Sequence, residues 1–334
     1  MKRIKSRFLI YLMIVALSVT FVFVTTASSV YAQKQKTIGL AMHFLQDDWA
    51  LTMKRGVEEV AAKYNYKLFV TDANFDPARQ MEQVESLITR RVDALIVVHL
   101  NTEEILPVLD KAKRRGIAVV GSGLPADIFY EKGYLSNLWT DNHIMGLLAG
   151  RKMADLLALK GKDDAKIAIV DAPITMYAIQ LRVRGFKFAT VEEYPKMKII
   201  VEEKAGTIEE AMRVTENLFT AHPDLDAIFA TYSTALIGAA RAKQARNKMD
   251  VVLTGVDNDK EVCKLVKLGV IDGAAVNNGY AFGKQAVEIA HDYLENNKRM
   301  TTPYYIPGPL LTAENVEAFY QEYFAEPLSA YMGK

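Results

Sequence analysis

A short β-branched run followed by a helical stretch recurs along this chain, and that alternation constrains its fold more than any other feature. Thr37–Met42 reads as a strand, and residues 48–64 carry Leu51, Val57, Val60 and Ala61 on one helical face. Residues 67–70 form a second strand, after which Asp76 caps a helix with Pro77 in its first turn and Met81, Val84, Leu87 and Ile88 along one side. Ala94–Val98 is apolar throughout, as expected of a strand buried on both faces. Residues 102–115 make the next helix and 117–120 the fourth strand.

The pattern restarts after a gap. Residues 166–170, 198–201, 227–230, 251–254 and 273–276 read as strands with helical stretches between them. The clearest helix, 207–221, opens on a capping box of Thr207 and Glu210 ahead of Ala211, Val214 and Leu218. Residues 135–139 add a strand leading into Thr140-Asp141-Asn142, and 314–324 a last helix before a short tail. Such alternation predicts an α/β fold with parallel, doubly wound sheets. Nine or more strands over about 300 residues are better placed in two sheets than in one. Two open sheets of this kind bind ligands in a cleft at the carboxyl ends of their strands.

The first 32 residues belong to a different kind of segment. Lys2, Arg3, Lys5 and Arg7 precede a 17-residue run, 8–24, that has no charge, and Val30-Tyr31-Ala32 offers a cleavage pattern. This is the grammar of a secretory signal peptide, 1–32, and a retained membrane anchor is the rival reading. Cleavage after Ala32 leaves 37 basic against 40 acidic residues, a net charge of −3, with none of the basic excess of a nucleic-acid binder. The single cysteine, Cys263, permits no intramolecular disulfide, so the fold rests on its cores.

Motifs of chemistry are scarce. His43, His99, His143, His222 and His291 form no H-E-x-x-H pattern or close pair, so no metal site is expected. Neither a G-x-S-x-G elbow nor a phosphate-cradling G-x-x-x-x-G-K-[ST] loop occurs. Gly121-Ser122-Gly123-Leu124-Pro125-Ala126 matches a dinucleotide fingerprint in letters, but Pro125 and Asp127 give a loop where a helix must open. Asp72-Ala73-Asn74-Phe75-Asp76 imitates a calcium loop, yet Pro77 stands where glycine is needed and Gln83 where glutamate is needed. Asp47-Asp48 reads as one helix cap plus one ligand contact, because adjacent residues point in different directions. No enzyme and no cofactor is expected.

The chain resembles the type I periplasmic binding proteins of the ribose- and galactose-binding-like group over roughly residues 36–312. Ordered segments carry the likeness: Thr37-Ile-Gly-Leu-Ala41, Asp72-Ala-Asn-Phe-Asp-Pro-Ala78, Thr140-Asp-Asn142, Arg182-Val-Arg-Gly-Phe186, Ala221-His-Pro-Asp-Leu-Asp-Ala-Ile-Phe-Ala230 and Thr254-Gly-Val-Asp257. The resemblance implies two Rossmann-like lobes, 36–139 with 278–304 and 140–277 with 305–334, joined by hinge crossings near 139–141, 276–278 and 304–306. It implies ligand contacts at Asp47 and Trp49, with Ala50 lacking a second aromatic wall. In the far lobe it implies Arg182, Asp257 and Asn277, with Tyr232 where an asparagine is usual. The family's Asp-Arg pair falls on Gly123 and Leu124, the largest departure. His99, at the end of the third strand, is an added candidate outside the family pattern. Arg182 as a surface ion pair and Trp49 as a core residue remain the bland alternatives.

The function implied is capture of a sugar or similar small polar ligand by hinge closure, for delivery by a monomeric periplasmic protein to an ABC-type permease. A receptor that presents its closed form to a sensor kinase or chemoreceptor, with a non-sugar ligand, is the alternative.

Overall fold

The computed structural model describes residues 35–122, 134–173, 177–300, 304–306 and 308–333. The expected leader 1–32, and Gly123 and Leu124, lie outside the described residues. In chain order the elements begin with β1 (Thr37–Met42), α1 (Asp48–Lys63), β2 (Lys67–Asp72), α2 (Pro77–Thr89), β3 (Ala94–Val98), α3 (Thr102–Arg114), β4 (Ala118–Ser122) and β5 (Ser136–Trp139). They continue with α4 (Asn142–Leu159), β6 (Lys166–Asp171), α5 (Tyr177–Lys187), β7 (Lys198–Lys204), α6 (Ile208–Ala221), β8 (Ala227–Ala230), α7 (Ser233–Ala245) and β9 (Val252–Val256). The last are α8 (Lys260–Lys267), β10 (Gly273–Ala275), α9 (Gly279–Asn296), β11 (Tyr304–Tyr305), β12 (Leu310–Leu311), α10 (Val316–Phe324) and α11 (Leu328–Met332).

The strands form two six-stranded sheets, ordered β11-β5-β4-β3-β1-β2 and β12-β10-β9-β8-β6-β7. Every recorded pairing is parallel except that of β12 with β10. Alternation fills both faces of each sheet. In the first sheet Ile38, Leu40, Ala94 and Ile96 pack beneath α1 and α9, while Ala41, Leu95 and Val97 pack beneath α2 and α3. In the second, Ala168, Ile228 and Leu253 face the α6, α7 and α10 side, and Ile167, Phe229 and Val252 face α4 and α5.

Local signals act as read. Asp47, Asp76 and Thr207 accept the expected backbone N–H groups of Ala50, Arg79 and Glu210. Glu210 closes its box on the Gly206 N–H rather than on that of Thr207. Boundaries differ most where strands run on through polar residues. β2 continues through Thr71-Asp72 and β7 through Glu202-Glu203-Lys204, because the ladder with β1 and β6 continues there. The last helix begins at Val316 rather than Glu314, and the expected tail folds as α11, with Leu328 buried against the second sheet's core.

Three chain segments run between the sheets, and they bond to one another. The Thr140 hydroxyl donates to Asn277 Oδ1 at 3.2 Å, Ile306 N to Trp139 O at 2.9 Å, and Val276 N to Pro309 O at 2.9 Å. Beside them α1 meets the second sheet's helices. Asp48 accepts the Lys260 N–H at 2.7 Å, and Arg55 donates to Tyr323 O at 2.6 Å.

Candidate functional site

The strand order of each sheet reverses between two neighbours, β1 and β3 in the first sheet and β6 and β8 in the second. Chains leaving the carboxyl ends of such strands part to opposite faces and leave a crevice. A cavity of about 580 Å³ lies there, inside the range of small-molecule sites. His43, Asp47 and Trp49 after β1, Val98 to Asn101 after β3, and Ser122 at the end of β4 form one wall. Thr140 and Asn142, Tyr177, Ile179 and Arg182, Tyr232 and Ser233, Asp257 and Asp259, and Asn277 form the other. The structure thus brings together Asp47, Trp49, His99, Arg182, Tyr232, Asp257 and Asn277 around one space.

Arg182 anchors the second wall. It is buried on α5, and its Nε donates to Asn142 Oδ1 at 2.9 Å. Its Nη1 donates to Thr231 O at 2.9 Å and to Asp257 Oδ2 at 3.2 Å. The surface ion-pair reading fails on that burial. Its Nη2 has no hydrogen-bonding partner among the described residues and remains available in the cavity wall. Asp257 also accepts the Ser233 N–H at the first turn of α7, a favourable place for a negative charge, and the Asn277 amide at 3.4 Å. Its backbone stands at φ 83°, left-handed space that a non-glycine residue holds only when its surroundings fix it. Tyr232 contributes its ring alone, since its hydroxyl donates to Ala205 O.

The first wall is more apolar. Trp49 meets His43 edge-on at 5.9 Å between ring centroids and Phe282 at 5.8 Å. Trp49 therefore serves core and cleft at once, packing on the first sheet's core while lining the cavity. Burial lowers His43 and His99 to about 4, so both imidazoles are neutral at pH 7. Burial also pushes Asp47 up to about 6, helped by the facing Asp257 carboxylate and opposed by the Ala50 N–H. The expected division of labour between Asp47 and Asp48 needs correcting. Asp47 both caps α1 and lines the cavity, whereas Asp48 turns to the Lys260 N–H and does not line it.

Sequence reasoning passed over Asn142, Ser233 and Asp259. Asn142 is buried and holds the Arg182 guanidinium while its own amide donates to Thr140 O at 3.0 Å. Asp259 is raised well above the ordinary carboxylate range, chiefly by burial and then by Asp257. A signal existed for two of them: Asn142 closes the Thr140-Asp-Asn142 segment, and Asp259 follows Asp257 by two residues at a strand's carboxyl end.

A raised carboxyl pKa opposes folding at neutral pH. Unfolded Asp47 ionises near 3.9 and folded Asp47 near 6, so its folding penalty is absent below about pH 4 and complete above about pH 6. Asp47→Asn, which keeps a capping oxygen, should therefore be more stable than the wild type by about 3 kcal/mol at pH 7. That advantage should vanish by about pH 4. Urea melts of both proteins across that range check this, and a pH-independent difference would refute it.

Two open, mostly parallel sheets flanked by helices and facing a polar cavity are the architecture of a solute receptor. A family model for the periplasmic binding protein domain matches residues 38–298, and the chain belongs to that family. The ribose import binding protein RbsB of Bacillus subtilis is 28% identical over 279 residues, 83% of this chain and 87% of that protein. An ABC transporter periplasmic solute binding protein from Actinobacillus succinogenes with bound D-allose matches at TM-score 0.78 and 25% identity, covering 85% of this chain and 100% of the other. An ABC transporter solute binding protein from Bacillus halodurans with bound myo-inositol matches at TM-score 0.77 and 27% identity, covering 86% and 98%. The chain is accordingly an extracytoplasmic solute-binding protein and not an enzyme. No helix among the described residues is long and apolar enough to cross a membrane.

Proposed function

We propose that this protein captures a sugar or similar small polyol by closing two lobes on it, and delivers it in the closed form to an ABC-type permease. The observation that carries this reading is a cavity walled by loops of both sheets, with Arg182, Asp257 and Asn277 on one side and Asp47 and Trp49 on the other. Fixed donors and acceptors on one wall suit adjacent hydroxyls, and the Trp49 ring suits the apolar face of a sugar. The lobes are 36–139 with 278–304 and 140–277 with 305–334, and the bonded segments at Thr140, Asn277 and Ile306 are their hinge. A ligand touching both walls stabilises only the closed form and shifts the open–closed population by its preference for that form. The leader 1–32 exports the chain to the periplasm.

The test is a thermal-shift screen of residues 33–334 against pentoses, hexoses, cyclitols and small amines. A binding solute at a hundredfold excess over its Kd adds about 2.7 kcal/mol of stability. A sugar or polyol should give that shift, and Asp257→Ala or Asn277→Ala should remove it. Silence from every sugar and polyol would overturn the reading.

A further inference from the structure

Charge in the cavity is one-sided. Among the described residues its walls carry the carboxyl groups of Asp47, Glu103, Asp257 and Asp259 against one guanidinium, that of Arg182. Arg182 is committed to Asp257, and Asp257 is further bonded to Ser233 and Asn277. Asp47 is different. Its Oδ1 accepts the Ala50 N–H at 2.7 Å, and its Oδ2 has no partner among the described residues. The charges that act on it are two more carboxylates, Asp257 and Asp48, and the neighbouring His43 imidazole is neutral. A second observation marks the same corner. His43 Nδ1 and Trp49 Nε1, both buried atoms on residues lining the cavity, have no hydrogen-bond partner among the described residues. A buried donor or acceptor left unpaired costs free energy that a ligand group can relieve.

We infer that the ligand is a cationic polyol, an amino sugar or aminocyclitol, whose protonated amine binds Asp47 Oδ2 beside the Trp49 ring. Its hydroxyls take the Arg182, Asp257 and Asn277 wall. This rests on the proposed capture of a sugar or polyol and adds its charge. The ammonium supplies the counter-charge that Asp47 lacks, and the indole face adds a cation–π contact. A neutral sugar can donate a hydroxyl to Asp47 but leaves the carboxylate's burial without a counter-charge.

Titration calorimetry on matched ligands tests this: glucosamine, N-acetylglucosamine and glucose, galactosamine and galactose, and inosamine and myo-inositol, with wild type and Asp47→Asn. In at least one set the amine should bind the wild type about tenfold or more tighter than its neutral counterparts. Asp47→Asn should weaken the amine by about tenfold more than it weakens the neutral member of the same set. A neutral member that binds as tightly as its amine, or an amine indifferent to Asp47→Asn, overturns the inference and leaves polyol capture standing. No binding by any of them overturns the inference, and polyol capture falls with it only if the pentoses, hexoses and cyclitols of the thermal-shift screen are silent too.

Discussion

Arg182→Met should abolish ligand capture and cost about 3 kcal/mol of stability, because it leaves the Asp257 carboxylate, only 14% exposed, without its cation. The guanidinium is the node of the second wall. It ties α4 through Asn142, the end of β8 through Thr231 O, and the turn after β9 through Asp257. Losing it strips donors from all three at once and removes Nη2 from the cavity. Stability and binding can be separated by adding Asp257→Asn, which removes the uncompensated charge. The double variant should regain much of the lost stability, read as the midpoint of a urea melt, and still bind no ligand in calorimetry. Wild-type affinity in Arg182→Met would show that this wall does not hold the ligand.

The second large effect is steric. Helices α4 and α5 approach so closely that a Cβ on Gly146 would stand 1.9 Å from Arg182 O, and one on Gly185 1.9 Å from His143 O. These are backbone contacts, which no side-chain rotation relieves. Gly146→Ala should force the helices apart and destabilise the protein by about 3 kcal/mol or more. Since α5 carries Arg182, the same shift should carry the guanidinium off its partners and weaken ligand binding as well. Ile144→Ala, at an exposed position of the same helix, should stay within about 0.5 kcal/mol of wild type. Equal melts for the two variants would refute the close-approach argument.

Much of this molecule follows from its local patterns. Ala94–Val98 reads as a strand buried on both faces and is one, because five apolar residues in a row can be satisfied only between two helical layers. Asp47, Asp76 and Thr207 cap the helices they precede, since a cap needs only a side-chain oxygen and an N–H two or three residues on. The candidate residues Asp47, His99, Asp257 and Asn277 follow strands in the sequence, and parallel sheets turn that position into the mouth of a crevice.

Other features depend on partners distant in sequence. β7 keeps its ladder through Glu202, Glu203 and Lys204 because it is an edge strand paired with β6, a matter of neighbours rather than of apolar pattern. The two-residue strands β11 and β12 exist only because β5 and β10 lie beside them. Asn142 holds Arg182 from 40 residues away, Asp48 reaches Lys260 across 212, and Tyr232 turns its hydroxyl from the cavity to Ala205, 27 residues back. The sequence alone determined the longer apolar strands, the caps at Asp47, Asp76 and Thr207 and the family pattern, because those depend on contacts a few residues long. Only the tertiary structure decided which carboxylate has a cation and which has none, because a buried charge takes its partner from whatever the fold brings within a few ångströms.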